Sequence, residues 1–157
     1  MAAGFTVSSG AAFAVTSGAK TLLNVISGTT NPPIITEFSV SFDGVTATAV
    51  PALVEMCSST QGAAGTPGTI GTVSQIRGYP SFTPVTTVSG QYTAEPTTLV
   101  VIKQWLVAAF MGTLVVQWPL GREAQGIVTA ATAMKGIAFR VSAPAAVNCR
   151  GYVEWEE

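Results

Sequence analysis

The feature that most constrains this chain is an alternation of apolar and polar residues at a period of two. It is clearest in residues 35–42, ITEFSVSF, and returns in residues 137–141, IAFRV. Alternate side chains of an extended strand point to opposite faces, so each segment has one apolar face that must be covered. The residues that we expect to be buried are Phe38, Val40, Phe42, Ile137, Phe139 and Val141.

Eight segments fit this extended pattern, and Gly- and Pro-rich stretches separate them. No segment of ten or more residues holds a helical period; residues 123–134 come nearest, but Gly126 and β-branched residues weaken that pattern. We therefore predict an all-β fold, a single-domain antiparallel β-sandwich of jelly-roll type over 1–157, with 1–18 as a candidate extended N-terminal arm. Asp43-Gly44 predicts a hairpin turn. The predicted strands lie in 20–26, 35–42, 52–59, 72–78, 97–107, 113–120, 135–143 and 145–157.

Charged residues make up only 10% of the chain, with a net charge of −1, against roughly 25% in a typical soluble domain. So few charges give little protection against self-association, which predicts a subunit of an assembly. The seven basic residues are dispersed, so we expect no nucleic-acid partner. The most apolar run, residues 98–120, is interrupted by Lys103, Gln104 and Gln117, so we expect no membrane partner, and the N-terminus does not resemble a signal peptide.

The residues that usually carry catalysis are scarce. The chain has no histidine, which removes the common general base and most zinc ligands. Its acidic residues are scattered or gathered at the C-terminus, where solvated surface is the simpler interpretation. Cys57 and Cys149 lie in predicted strands, and buried free thiols are favoured over a disulfide. We predict that the protein is not an enzyme and has no catalytic, cofactor-binding or metal-binding residues.

Two segments are candidates for contact with a partner. Arg122 and Glu123 are adjacent charges after Pro119 and Gly121, and are either a solvated loop tip or a partner-facing ion pair. The long loop over 78–97 contains Tyr79, Phe82 and Tyr92, and aromatic side chains in such loops are often contact surface. The same loop could instead fold back over one end of the sandwich. The candidate contact residues are Tyr79, Phe82, Arg122 and Glu123.

Six segments together carry a resemblance to a known family: AKTLLNVI, EFSVSFDGVTATAVPALVEMC, SSTQGAAGTPG, AEPTTLVVIKQWLV, PLGRE and IAFRVSAPAAVNCRGYVEWEE. In order and approximate spacing they resemble the minor capsid, or head decoration (cement), proteins of tailed double-stranded DNA bacteriophages, particularly those of actinobacteria. The resemblance implies a small, usually trimeric β-sandwich protein on the outer capsid surface of the virion. There it would bind the major capsid protein near local threefold positions and cement neighbouring subunits after the shell expands.

Two other functions remain open on the sequence. One is another virion component of the same architecture, such as a tail-tube, tail-tip or head-fibre subunit, which would assemble into rings or tubes. The other is a lectin-like jelly roll, which needs a concave site with aromatic and polar groups. The decoration protein is the function that we expect.

Overall fold

The computed structural model describes residues 3–28, 32–45, 50–60, 65–78, 82–96, 98–118, 124–125 and 135–157. These residues contain strands and no helix, as the period of two predicts. The twelve strands of the described part are β1 (Gly4–Ser8), β2 (Phe13–Val15), β3 (Lys20–Ile26), β4 (Ile34–Phe42), β5 (Ala52–Thr60), β6 (Ser74–Arg77), β7 (Thr87–Gly90), β8 (Thr98–Val107), β9 (Thr113–Gln117), β10 (Ala124–Gln125), β11 (Lys135–Ser142) and β12 (Val147–Glu156).

The strands form two antiparallel sheets. Sheet A has the order β10-β4-β12-β1-β6, with β9 also paired to β4 and β2 also paired to β12; sheet B has the order β7-β3-β11-β5-β8. Without β2, β6, β7 and β10, the orders are β9-β4-β12-β1 and β3-β11-β5-β8. Consecutive strands then alternate between the two sheets, except that β5 and β8 both lie in sheet B, which is the jelly-roll order. The predicted β-sandwich is therefore confirmed.

All eight predicted strands are present, and four further strands were not predicted. The N-terminal segment, expected as a candidate arm over 1–18, instead contributes β1 and β2 to sheet A. Phe5 and Val7 point inward from β1 and are buried, and their register partners in β12 are Trp155 and Val153. The apolar contact that holds β1 in place is thus made with the far end of the chain, and local sequence does not reveal it.

The core lies between the sheets and contains the six residues expected there. Phe38, Val40, Phe42, Ile137, Phe139 and Val141 are at most 4% exposed. The rings of Phe38 and Phe139 stack across the sheets with centroids 3.9 Å apart and planes 5° from parallel. The three tryptophans are packing residues too: Trp155 and Trp118 are buried, and Trp105 packs against the core.

The hairpin turn predicted at Asp43-Gly44 was wrong, because β4 and β5 belong to different sheets and do not pair. The Asp43 carboxylate instead accepts hydrogen bonds from the backbone N–H of Asn148 at 3.0 Å and from its side-chain amide at 3.1 Å. Gly44 forms an isolated bridge with Phe110. A Cβ at Gly44 would lie 2.2 Å from the Ala109 carbonyl oxygen, so glycine is required here by close backbone approach.

The two lateral edges of the sandwich differ. At the covered edge, which comprises β6, β7, residues 65–73 and residues 82–96, the chain closes the gap between the sheets. Gly68 N–H donates to the Gly90 carbonyl at 2.9 Å on the sheet B side, and Gly71 N–H donates to the Ser8 carbonyl at 3.0 Å on the sheet A side. The open edge comprises β8, β9 and the turn 108–112 that joins them.

Candidate interaction surfaces

Of the four candidate contact residues, Phe82 lies within the described part of the chain; Tyr79, Arg122 and Glu123 lie outside it. Phe82 is 52% exposed, as a contact residue should be. The C-terminal Glu157 holds the segment that follows, since its carboxylate accepts hydrogen bonds from Val85 N–H at 2.8 Å and Thr86 N–H at 3.1 Å. Phe82 is therefore an exposed aromatic ring close to a fixed anchor.

Tyr92, the third aromatic residue of the predicted loop, is not contact surface in this chain: it is 2% exposed. Residues 91–96 fold over the outer face of sheet B, where Tyr92 N–H donates to the Thr21 carbonyl at 3.0 Å. The Tyr92 hydroxyl is bonded to Ser89 and accepts from the Asn24 amide at 3.5 Å. For this part of the loop the second interpretation, folding back over the sandwich, is the one observed.

Glu95 completes this lid over sheet B. Its carboxylate accepts hydrogen bonds from Thr21 N–H, at 2.8 Å, and from the Thr21 hydroxyl. Thr21 itself is fully buried. A short polar network therefore fixes residues 91–96 on the sheet, and Glu95 is used for structure.

Several other carboxylates in the described residues are engaged in similar ways. Glu55, which is nearly buried, accepts from Arg140 Nε and from Gln104 Nε2, both at 2.7 Å. Arg77 and Glu156 form an ion pair at 2.9 Å. No group of three or more Cys, Asp or Glu residues in the described part of the chain could hold a metal ion.

Both cysteines lie in described strands and are free, buried thiols. Burial raises the pKa of Cys57 to about 11 and that of Cys149 to about 12. A thiol is a nucleophile or metal ligand only as the thiolate, so both groups are inert near neutral pH. They act as small apolar residues, which agrees with the expectation from the sequence.

The outer face of sheet A is polar. A groove of about 380 Å³ on this face is lined mainly by hydroxyl groups, together with Arg150 and Tyr152. Beside it, the Glu37 carboxylate accepts from the Tyr152 hydroxyl and, at 2.7 Å, from Gln117 Nε2. Burial, and then the nearby Glu37 charge, raise the pKa of Glu154. This face carries hydrogen-bonding groups and acidic charge.

The open edge has the opposite character. Of the twelve large apolar side chains that are exposed in the described residues, seven lie within residues 100–115, so exposure of apolar surface is concentrated there. Leu106 is 71% exposed and Met111 is 73% exposed. A concentration of exposed large apolar side chains in one region of a protein favours an interaction surface there. The seven residues are Val100, Val101, Ile102, Leu106, Phe110, Met111 and Val115.

The open edge continues into one end of the sandwich, the four-turn end, which the described residues of four segments form: 16–19, 43–45 with 50–51, 108–112 and 143–146. Two hollows there, of about 240 and 410 Å³, share Pro144 and are lined mostly by small and apolar residues. Asp43 is the single charged residue in these four segments of the sequence, and its carboxylate is bonded to Asn148. An apolar surface whose only charged residues in the sequence are Lys103 and Asp43 therefore runs from β8 around this end.

Sequence reasoning missed this surface. Residues 97–107 were correctly predicted as a strand, but the sequence does not show that the strand would lie at an edge of a sheet. A local signal was available in the turns AAFMG (108–112) and SAPAA (142–146), which contain apolar residues where turns usually hold polar ones. Turns of that kind at one end of a sandwich indicate a contact surface.

Comparisons of the chain with protein-family models, with curated protein sequences and with solved structures returned no match. In the described residues there is no helix with the length and hydropathy needed to cross a membrane. What the protein does must therefore be argued from its own surfaces.

Proposed function

We infer that this chain is a structural virion protein, a capsid decoration or cement subunit that binds the outer surface of an assembled bacteriophage head and stabilises it. The observation that carries this proposal is the apolar surface, poor in charge, that the open edge and the four-turn end form. Such a surface supplies binding area. The carboxylates of Glu55, Glu95 and Glu157, which could serve chemistry elsewhere, are engaged in holding the fold together.

The mechanism is mechanical stabilisation. A protein that binds the assembled shell, and not its free subunits, shifts the assembly equilibrium by mass action. As a homotrimer at a local threefold position, the subunit would contact three copies of the major capsid protein at once. Linking three weak contacts raises the overall affinity by effective concentration, so each contact needs little area.

The contact with the capsid is proposed for Phe82, together with Tyr79, Arg122 and Glu123. Phe82 supports this because its ring is exposed while the neighbouring Val85 and Thr86 are fixed by Glu157. An aromatic side chain on a fixed base loses little conformational freedom on binding, which is a common property of hot-spot residues. Because Phe82 lies in the covered edge, a capsid contact through Phe82 leaves the open edge free for another contact.

Co-sedimentation of the purified protein with expanded, undecorated heads of its phage tests this proposal. We expect saturable binding and heads that withstand higher temperatures. Phe82→Ala should weaken binding about 10- to 100-fold, as a hot-spot truncation does. Ile76→Ala is the matched control, because Ile76 is an exposed apolar residue of the neighbouring strand β6. Absence of wild-type binding to expanded heads would contradict the decoration function.

The two alternatives have their own tests. A tail or head-fibre subunit would form rings, tubes or fibres that are visible by negative-stain electron microscopy of the protein alone. A lectin-like jelly roll would use the hydroxyl-lined groove of sheet A, where Arg150 lies beside Tyr152. Saccharide binding that Arg150→Ala abolishes would favour that function over decoration.

A further inference from the structure

The open edge has backbone as well as side chains available for contact. In the described residues, β8 pairs with β5 along one side, and its other side has no neighbouring strand. At ten residues it is as long as any strand of the described chain. A long apolar edge strand with free N–H and C=O groups is a template for pairing with another chain, and monomeric proteins usually block it with charges, proline or a covering loop.

β8 lacks most of those protective devices. Its one charged residue is Lys103, whose ammonium group lies 5.8 Å from the centroid of the Trp118 ring. The cation is thus engaged with an aromatic face of its own chain. A β-bulge lies opposite Met56 and Cys57, but Val100, Val101 and Ile102 around it remain exposed.

The turn that ends the open edge has a restricted shape. Met111 has a positive φ of 50°, which is uncommon for a residue with a side chain. A Cβ at Gly112 would lie 1.9 Å from the Ala108 carbonyl oxygen, so this position requires glycine. The turn therefore presents Phe110 and Met111 to solvent in a defined position, whereas a polar residue would be the ordinary choice for an exposed turn.

Charge decides which occupant fits this surface. A contact between two copies of one chain is favoured where the facing surface holds few charges, because few like charges then meet. The outer face of sheet A meets this condition less well, because it carries Glu37, Glu154 and Glu156 together with Arg150 and the Arg77 that pairs with Glu156. The open edge and the four-turn end meet it, since Lys103 and Asp43 are their only charged residues in the sequence and both have partners within the chain.

The distribution of exposed apolar side chains also favours a protein contact. Nine of the twelve large apolar side chains that are exposed in the described residues belong to the open edge or, as Val45 and Val50, to the four-turn end. Val50 and Leu106 line one hollow, and Val45 and Ala109 line the other, so the two regions adjoin. Apolar side chains exposed together in this way are typical of a surface that another protein covers.

We propose that copies of this chain associate with each other through the open edge, with the strand β8 and the turn 108–112 facing the symmetry axis of the assembly. The occupant of this surface is a second copy of the same chain. The inference rests on the proposed function only for the number of copies: decoration at a threefold position requires a trimer. The covered edge with Phe82 then faces away from the axis and is free to contact the capsid.

Light scattering of the protein alone at micromolar concentration tests the surface. The wild-type mass should be a multiple of the 16.1 kDa chain. Leu106→Asp and Met111→Asp should each weaken self-association at least ~100-fold by placing an unpaired carboxylate in an apolar contact, and so give monomers with an unchanged far-UV circular dichroism spectrum. Ile76→Asp, at an exposed apolar position of the covered edge, should keep the wild-type mass.

Hydrogen exchange of the wild-type protein gives a second measurement that does not depend on a variant folding. On dilution below the association midpoint, amides of β8 should exchange faster while those of β6 keep their rates. A wild-type monomer, or exchange in β8 that does not respond to dilution, would overturn the proposal.

Head binding separates failure of this inference from failure of the function. If Leu106→Asp keeps the wild-type mass but no longer binds heads, the open edge contacts the capsid and the proposal is wrong. If the wild-type protein is a dimer that Leu106→Asp dissociates, the proposed surface is correct and the threefold arrangement is contradicted. If the variants are monomers that bind heads more weakly than the wild type, the result supports both the proposed self-association surface and the decoration function.

Discussion

The two edges of this sandwich solve the same problem in different ways. Any sandwich of two open sheets has unpaired strands at its edges, and those strands attract other chains. At the covered edge residues 65–78 and 82–96 supply β6 and β7, and Gly68 and Gly71 tie sheet A to sheet B. At the open edge the described chain leaves β8 unpaired and its side chains exposed.

The two edges also differ in how their polar side chains are used. The covered edge uses Glu95, Glu157 and Tyr92 in hydrogen bonds that hold loops against the sheets. The open edge has no comparable set in the described residues, and its apolar side chains would gain from being covered by another molecule. One edge is therefore completed within the chain, and the other is available for completion by a partner.

The largest expected effect compares one buried aromatic residue of the covered edge with one exposed aromatic residue of the open edge. Tyr92→Ala should lower the free energy of unfolding by about 3–5 kcal/mol, the usual cost of removing a buried aromatic side chain. Phe110→Ala should lower it by less than about 1 kcal/mol, because Phe110 is already partly in water. Urea denaturation at a concentration where the protein is monomeric measures both.

Two further results bear on this comparison. Equal losses for Tyr92→Ala and Phe110→Ala in monomeric protein would mean that the open edge is covered within the chain. Phe139→Ala serves as the reference for a core position, since its ring stacks on Phe38 between the sheets, and it should also cost about 3–5 kcal/mol.

Much of the sandwich could be predicted because its strands carry their own pattern. The faces of 35–42 and 137–141 alternate cleanly, and both segments are strands with the expected residues buried. β1 and β7 could not be found this way. β1 is held mainly by contacts with β12 at the far end of the chain, and β7 is four residues long within a segment rich in turn residues.

The interaction surfaces were harder to predict, since exposure depends on sheet order. Tyr92 and Phe82 occupy the same kind of sequence, a loop containing proline, yet one is buried under hydrogen bonds and the other is exposed. Leu106 lies in a largely apolar strand, but its register partner Leu53 alternates with the core residues Ala52 and Val54, so Leu106 lies on the outer face of sheet B at its edge. The pattern of a single sequence predicts which residues of a strand share a face, but it does not predict where that strand lies in its sheet.

A smaller effect is expected from the carboxylate of the covered edge. Glu95→Ala should lower the free energy of unfolding by about 1–3 kcal/mol, because it leaves the N–H and hydroxyl of buried Thr21 without their acceptor. Gln117→Ala at the open edge removes one exposed hydrogen bond to Glu37 and should cost about 0.5 kcal/mol or less. If the two variants lose the same stability in urea denaturation, polar contacts do not distinguish the edges.

Thiol labelling measures local opening near the open edge. With pKa values of about 11 for Cys57 and about 12 for Cys149, raised from 9.0 by burial, both thiols should react at pH 8 at least ~100-fold more slowly than in the unfolded chain. Cys57 should react first, because it lies in β5 beside the edge strand β8. Mass spectrometry of the labelled peptides gives both rates. If Cys149 is labelled faster than Cys57, local unfolding of the monomer does not begin at the open edge.

The smallest effect concerns the hydroxyl that links the middle of sheet A to the open edge. The Tyr152 hydroxyl in β12 donates to the Glu37 carboxylate, which also accepts from Gln117 of β9. The hydrogen bond from Tyr152 to Glu37, followed by burial, raises the pKa of Tyr152 from 10.0 to about 12. The neutral phenol is the form favoured in the fold, so its contribution to stability is fully present below pH 10 and is lost as pH rises through 12. The loss should be small because Tyr152 is partly exposed to solvent. An absorbance titration of the tyrosines should show a late step that Tyr152→Phe removes and that Glu37→Gln moves towards pH 10. A Tyr152 step already near pH 10 in the wild-type protein would mean that β9 is not tied to the centre of the sheet through Glu37.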